Sequence, residues 1–168
     1  MNFKKSDIFC AFVVIFMSFF TMKSADGEPL NFTDSDWKTI SAGFAGVNDN
    51  VWALENDDKG NIYAGGDFTI AGNTVVNKIA KWDGAEWHSL GGGVGDVDGA
   101  IYALLWHEGE LYAGGDFTEI GGVEAFGIAK WDGENWSPLG DGLSEGYVNA
   151  LSSMDGDLYV GGNFKEAG

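Results

Sequence analysis

This sequence predicts an all-β fold assembled from repeated four-stranded units, and three observations carry the prediction. The string YAGGDFT stands at 63–69 and again, letter for letter, at 112–118, and a close relative, YVGGNFK, stands at 159–165. Between these markers lie short runs rich in aromatic and branched residues, bounded by Gly, Asp and Asn and each too short for a helix. Twenty-seven glycines against two prolines, with aromatics at 14%, is neither a collagen-like nor a disordered composition and suits many short strands joined by tight turns.

The spacing of tryptophan and tyrosine sets the unit. Tyr63, Trp82 and Trp87 recur 49 residues on as Tyr112, Trp131 and Trp136, while Trp37 precedes Trp87 by 50 and Tyr159 follows Tyr112 by 47. One unit therefore covers 37–86, the next 87–135, and a third runs from 136 to 168 and is incomplete. The second unit shows its four strands as EWHSL, AIYALLW, LYAGG and GIAKW. Four short strands per unit at this period is the arithmetic of a β-propeller blade. The run 101–106 is apolar on both faces, as a strand must be when neighbouring sheets cover it on each side.

Particular letters then acquire physical jobs. The pairs Gly65-Gly66 and Gly114-Gly115 end a strand where a missing Cβ permits close backbone approach or an unusual φ. WDGAEW and WDGENW read as hairpins, turning either through two residues at Asp83-Gly84 and Asp132-Gly133 or through a four-residue loop. A two-residue turn sets Trp87 opposite Ala80, and a four-residue loop sets it opposite Trp82. Both registers put Trp82 and Trp87 on one face within reach of each other, with Trp131 and Trp136 in the matching places, and these rings are expected to fill the space between stacked sheets.

An apolar strand ending in a glycine doublet, a loop of about a dozen residues, an aromatic strand and a tryptophan shortly after resembles the kelch repeat. The pattern is read in IYAGGDFTIAGNTVVNKIAKWDGAEW and LYAGGDFTEIGGVEAFGIAKWDGENW. The wording GGDFT, IAKWDG and W is similar to kelch-like repeats of secreted bacterial proteins and of fungal cortical cell-polarity markers, and it covers essentially everything after residue 36. Tryptophan replaces the usual tyrosine, and the final hairpin is shorter. The resemblance implies a propeller and no particular ligand, because such folds host both binders and enzymes.

Both ends of the chain carry further expectations. MNFKK is a basic start, 8–20 is almost wholly apolar, and KSADGE follows, so residues 1–25 read as a secretory signal, too short to cross a bilayer comfortably as a helix. An uncleaved N-terminal anchor is the alternative, because Lys23 stands where a small residue would precede a cut after Ala25. Residues 26–36 read as a linker, with a glycosylation sequon at Asn31. Cys10 lies in the apolar run, so the exported part would carry no disulfide or thiolate metal site. At the far end the third unit stops before its aromatic strand. Two blades and part of a third do not close a ring, so the expectation is the N-terminal piece of a longer protein.

Charge excludes one class of partner. The net charge is −17, and loss of residues 1–25 removes three lysines and one aspartate, which takes it to −19 with six lysines and no arginine remaining. Such a surface repels phosphate backbones and anionic membranes, so nucleic acid is excluded as a partner, and any membrane attachment would come through an uncleaved N-terminus or a C-terminal anchor.

Few residues invite chemistry. GGGVGDVDG at 91–99 has no following lysine or helix, so it is a connection between strands and not a phosphate loop. Asp49, Asp96, Asp98, Asp141 and Glu145 fall in equivalent connections on one rim, where propellers bind ligands. Clustered carboxylates there suit calcium, yet the spacing lacks the later ligands of an EF-hand loop, and solvated turn residues are the better reading. Asp67 and Asp116 follow the glycine pairs, as Asn163 does in the third unit, and repetition argues that they bond their own turn. Lys81 and Lys130 fall under the same argument. His88 corresponds to Lys38 and Ser137, a freely varying position, and His107 lies at a turn without an evident partner; neither makes a triad or a metal set.

The functional expectation is an exported binding module without catalysis, displaying variable rim loops on a stiff repeated core to a protein or an extracellular glycan. A lectin reading, with exposed tryptophans stacking on sugars, requires that these tryptophans are not buried between sheets. An enzyme on this fold needs a singular cluster, such as a tyrosine, cysteine and histidine copper set, and no such set stands in this stretch.

Overall fold

The structure, a computed structural model, describes residues 46–96 and 98–168. The expected signal at 1–25, the linker at 26–36, the sequon and the first strand at Trp37 lie outside the described residues. The fold is all-β, with antiparallel sheets, none of them closed, and without a helix among the described residues.

The first sheet contains β1 (Val51–Asn56), β2 (Ile62–Gly66), β5 (Ile79–Trp82) and β6 (Trp87–Ser89), in the order β1-β2-β5-β6. Between its second and third members a small hairpin, β3 (Ile70–Ala71) with β4 (Thr74–Val75), stands apart as its own two-stranded sheet. The second sheet repeats the plan with β7 (Ala100–His107), β8 (Glu110–Asp116), β11 (Ile128–Trp131) and β12 (Trp136–Pro138), and its side hairpin is β9 (Glu119–Ile120) with β10 (Val123–Glu124). A third sheet pairs β13 (Gly146–Met154) with β14 (Asp157–Phe164). Each four-stranded sheet is completed by the tryptophan-bearing strand that opens the next unit of sequence.

All three sheets carry the same irregularity. The ladder slips by one residue between Val51 and Ala53, between Ile101 and Ala103, and between Val148 and Ala150, leaving Trp52, Tyr102 and Asn149 as bulged residues. The bulge presses a carbonyl against the second glycine of each pair. A Cβ at Gly66, Gly115 or Gly162 would fall inside contact with the backbone oxygen of Asn50, Ala100 or Tyr147.

The first glycine of the pair serves the neighbouring sheet instead. A Cβ at Gly65 would collide with Ile101 and stand 3.4 Å from Leu104 Cδ1, and one at Gly114 would stand 2.5 Å from Val148 Cγ1 and 3.5 Å from Leu151 Cδ1. Each sheet thus presents a hollow that the first strand of the following sheet fills with two aliphatic side chains. Of the two reasons expected for glycine here, close approach is the one realised, since none of these glycines has a positive φ.

Two cores result. Tyr63, Ile79, Leu90, Ile101, Leu104, Leu111, Trp131 and Trp136 pack together between the first and second sheets. Phe68, Val76 and Trp87 close over the opposite face of the first sheet, with Trp82 against them. The hairpin registers set Trp82 opposite Trp87 and Trp131 opposite Trp136, which selects the four-residue loop. Ring centroids lie 5.5 Å and 5.3 Å apart. The second pair fills an inter-sheet space as expected, and Trp136 Nε1 donates to the Leu90 carbonyl at 2.9 Å. The first pair lies on a face that no sheet covers among the described residues, packed with the side hairpin of its own unit.

Substitution separates the glycine roles. Gly115→Ala drives a Cβ into a backbone carbonyl that has no way to swing aside and is expected to cost about 1–3 kcal/mol. Gly161→Ala, whose Cβ would meet nothing closer than 3.7 Å, is expected to change stability by less than about 0.5 kcal/mol. Urea midpoints at unchanged slope measure both.

Candidate functional site

A polar groove of about 490 Å³ opens between the first and second sheets, lined among others by Asp57, Lys59, Tyr63, Lys81, His88 and Trp106. Its walls come from strand ends and turns: the β1–β2 turn supplies Asp57, the β5–β6 hairpin supplies Asp83 and His88, and β7 supplies Trp106.

Asp57 is 4% exposed and its carboxylate is fully engaged. Oδ1 accepts from the Lys59 and Asn61 amides, both at 2.9 Å, and Oδ2 accepts from Asn61 Nδ2 at 2.6 Å and from the Tyr63 hydroxyl at 3.2 Å. Burial alone would raise this carboxyl, but the bonds from Asn61, Lys59 and Tyr63 more than offset it, and the net shift is downward. A carboxylate held ionised by four donors organises its turn and is a poor proton acceptor. Tyr63 is stacked on Trp106, with centroids 5.8 Å apart and planes 13° from parallel. Burial, then the Asp57 charge and hydrogen bond, push its phenol up to about 12.

In the same sheet, Asp83 caps its hairpin by accepting from the Ala85 and Glu86 amides at 2.8 and 2.9 Å, and its second oxygen lies 2.8 Å from His88 Nε2. The Glu86 and Ala85 amides, then His88, hold its carboxyl far below the usual range. Glu86 Oε1 stands 4.0 Å from the same imidazole nitrogen. Among the described residues, Asp83, Glu86 and His88 are the one set of three metal-capable side chains whose ligand atoms converge. In the second sheet Asp132 caps the equivalent hairpin through Glu134 and Asn135, and Ser137 stands where the histidine would be.

The two lysines expected to be alike are not. Lys130 is paired with Glu110 at 2.9 Å, and this hydrogen bond leads the causes that raise its ammonium. In the first unit Asn61 takes the place of Glu110 and is drawn to Asp57, so Lys81 makes no ion pair among the described residues and lines the groove.

The rim carboxylates are placed separately. Asp96 bonds the Thr118 amide and hydroxyl and the Glu119 amide, and the Thr118 amide is the first cause of its lowered carboxyl. Asn48 performs the same tie in the first unit, accepting from Thr69 and Ile70 at 2.9 and 2.8 Å. Asp49 accepts from the Asn50 amide, Asp98 and Asp141 are exposed, and Glu145 pairs with Lys165 at 2.6 Å. None of the five belongs to a converging set among the described residues. Asp67 accepts from the side chain of Asn50, immediately before β1, at 3.3 Å, and not from its own turn. His107 meets Tyr112 with centroids 6.3 Å apart.

Sequence reasoning passed over the groove. Its signal was present as departure from the repeat: Asp57 occupies the place of His107, Asn61 that of Glu110 and Trp106 that of Asn56. No family model, no curated protein and no solved structure matches the chain.

Tyr63 is expected to show itself in alkali. Its phenol is raised in the fold, so the stability it contributes is fully present below the ordinary tyrosine range near pH 10 and is lost as pH rises toward about 12. In thermal melts across that interval, Tyr63→Phe is expected to fall less steeply than the wild-type chain, while losing about 1 kcal/mol at neutral pH through the missing bond to Asp57.

Proposed function

We propose that the chain is an exported segment of a kelch-like β-propeller whose work is to bind a protein at the cell surface or outside the cell. The single observation that carries this reading is the twice-repeated seating of one sheet on the next, in which Gly65 and Gly114 each admit the aliphatic pair of the following strand. Sheets that stack in one register through identical contacts form a stiff array, and in such arrays recognition falls to side chains that escape the repeat. Asp57, Lys81, His88 and Trp106 are of that kind and line one groove. The basic start and apolar run before residue 21 support export.

A glycan reading draws its appeal from the repeated tryptophans. Of the repeated tryptophans, Trp87, Trp131 and Trp136 are buried and offer no platform for a sugar ring, which favours a protein partner, whereas Trp82 is half-buried and Trp52, outside the repeated pairs, is 51% exposed.

Three measurements test this. The chain recovered outside the cell is expected to begin near residue 26 by N-terminal sequencing. Soluble sugars are expected to leave its tryptophan fluorescence unchanged; strong saturable quenching would favour the lectin reading. A photo-crosslinking side chain placed at Lys59 or Lys81 is expected to trap one extracellular protein, and the same group at Glu134 to trap none. Equal trapping from all three positions would remove the groove as the binding surface.

A further inference from the structure

The hairpin between β5 and β6 carries more chemistry than its turn requires. Asp83 gives one carboxylate oxygen to the turn, Oδ1 accepting from the Ala85 and Glu86 amides. Its other oxygen, Oδ2, has His88 Nε2 at 2.8 Å, and Glu86 Oε1 stands 4.0 Å from the same nitrogen. The matching hairpin of the second sheet closes in the same way, Asp132 accepting from the Glu134 and Asn135 amides, with Asn135 where the first has Glu86 and Ser137 where it has His88. The turn therefore needs neither the second carboxylate nor the imidazole. Among the described residues such groups converge only in the first sheet, with all three ligand atoms within 4.8 Å of one another.

We propose that Asp83 Oδ2, Glu86 Oε1 and His88 Nε2 form an open three-ligand site for a borderline divalent cation of the zinc class. One imidazole nitrogen and two carboxylate oxygens suit Zn²⁺, whereas Ca²⁺ and Mg²⁺ take oxygen ligands and gain nothing from the nitrogen. With bonds of about 2.0–2.1 Å, neighbouring ligands of a tetrahedral Zn²⁺ stand about 3.3 Å apart. The contact between Asp83 and His88 is shorter than this and that between Glu86 and His88 is longer. The cation enters between Oδ2 and Nε2, and the neutral ring then holds its proton on Nδ1. Glu86, with its side chain 75% exposed, has room to swing in and close the set. Asp83 stays in place because two amides hold its Oδ1, the same service that outer hydrogen bonds give to ligands in metal sites. Lys81 stands opposite His88 in the ladder, and the two carboxylates outweigh its single charge. Asp83 and His88 line the groove, so the position left to water opens there. All three ligands lie within residues 83–88, and the site is the same whether or not the groove takes a protein.

The test uses the purified full chain carrying Cys10→Ser, which removes its one thiol as a rival ligand, after treatment with a chelator. Calorimetric titration with Zn²⁺ is expected to show one equivalent per chain, retained in a large excess of Ca²⁺. His88→Ser and Glu86→Asn install the residues with which the second hairpin already folds; the first is expected to abolish the equivalent and the second to weaken it by about tenfold or more. In NMR spectra the imidazole signals of His88 are expected to shift with Zn²⁺, and those of His107, the other histidine, to stay. Asn135→Glu with Ser137→His, beside the Asp132 that caps its own turn, is expected to add a second equivalent. Absence of binding, binding that survives His88→Ser, or binding that Ca²⁺ abolishes would overturn the proposal, the last two by placing the cation on scattered surface acids. A transplanted hairpin that gains no equivalent would overturn it as well, because the same three residues on the same turn are all that the site requires.

Discussion

Two β-sheets approach face to face only as closely as the side chains between them permit, and here that distance is set by one position per sheet that has no side chain. At Gly65 and at Gly114 the following strand enters the space a Cβ would occupy and fills it with a branched residue and a leucine. Around that contact the larger groups arrange themselves: Tyr63 lies flat on Trp106, Trp131 tilts against Trp136, and Leu111, Ala113 and Ala129 are left without solvent. The second glycine of each pair answers to a different neighbour, the carbonyl that the bulge turns toward it. One dipeptide thus satisfies a contact within its sheet and a contact between sheets, which explains why neither letter varies among the three units.

Much of this architecture could be read from the letters, and the reason is that it rests on composition and period. Strand number, the turn at WDG, the facing of each tryptophan pair and the need for glycine follow from alternation and from steric rules that act within a few residues. The bulges and the small side hairpins could not be read. A bulge leaves no mark in a pattern of period two beyond a shift of one, and β3, β4, β9 and β10 are two residues long, below the length at which alternation means anything. Lys78 was equally opaque. It takes φ 73° where the second unit has Gly127, with its ammonium 3.1 Å from the Asp67 carbonyl, a conformation that few would assign to lysine.

The site followed a different logic. Reasoning from repetition assigned Asp67, Asp116, Lys81 and Lys130 to architecture, and Lys130 contacts Glu110 across its sheet while Asp67 contacts Asn50. Repetition misleads where one partner changes. With asparagine at 61 in place of the glutamate at 110, the lysine opposite loses its counter-ion and turns to the groove, although Lys81 and Lys130 stand in identical words of sequence. The environment of a residue is set across the sheet, by partners about 20 positions away in the chain, and a reading along the chain sees those partners last.

The offset between sequence unit and sheet has its own consequence. Every four-stranded sheet borrows its last strand from the following word of sequence, so no 49-residue stretch that begins at a tryptophan contains a whole sheet. Tandem duplication is indifferent to this. A copied stretch of one period, begun at any phase, loses at one end the strand it gains at the other and lengthens the array by one complete layer. A gene of this design can grow or shrink by recombination at arbitrary points inside the array, and only its two outermost breakpoints are constrained by folding.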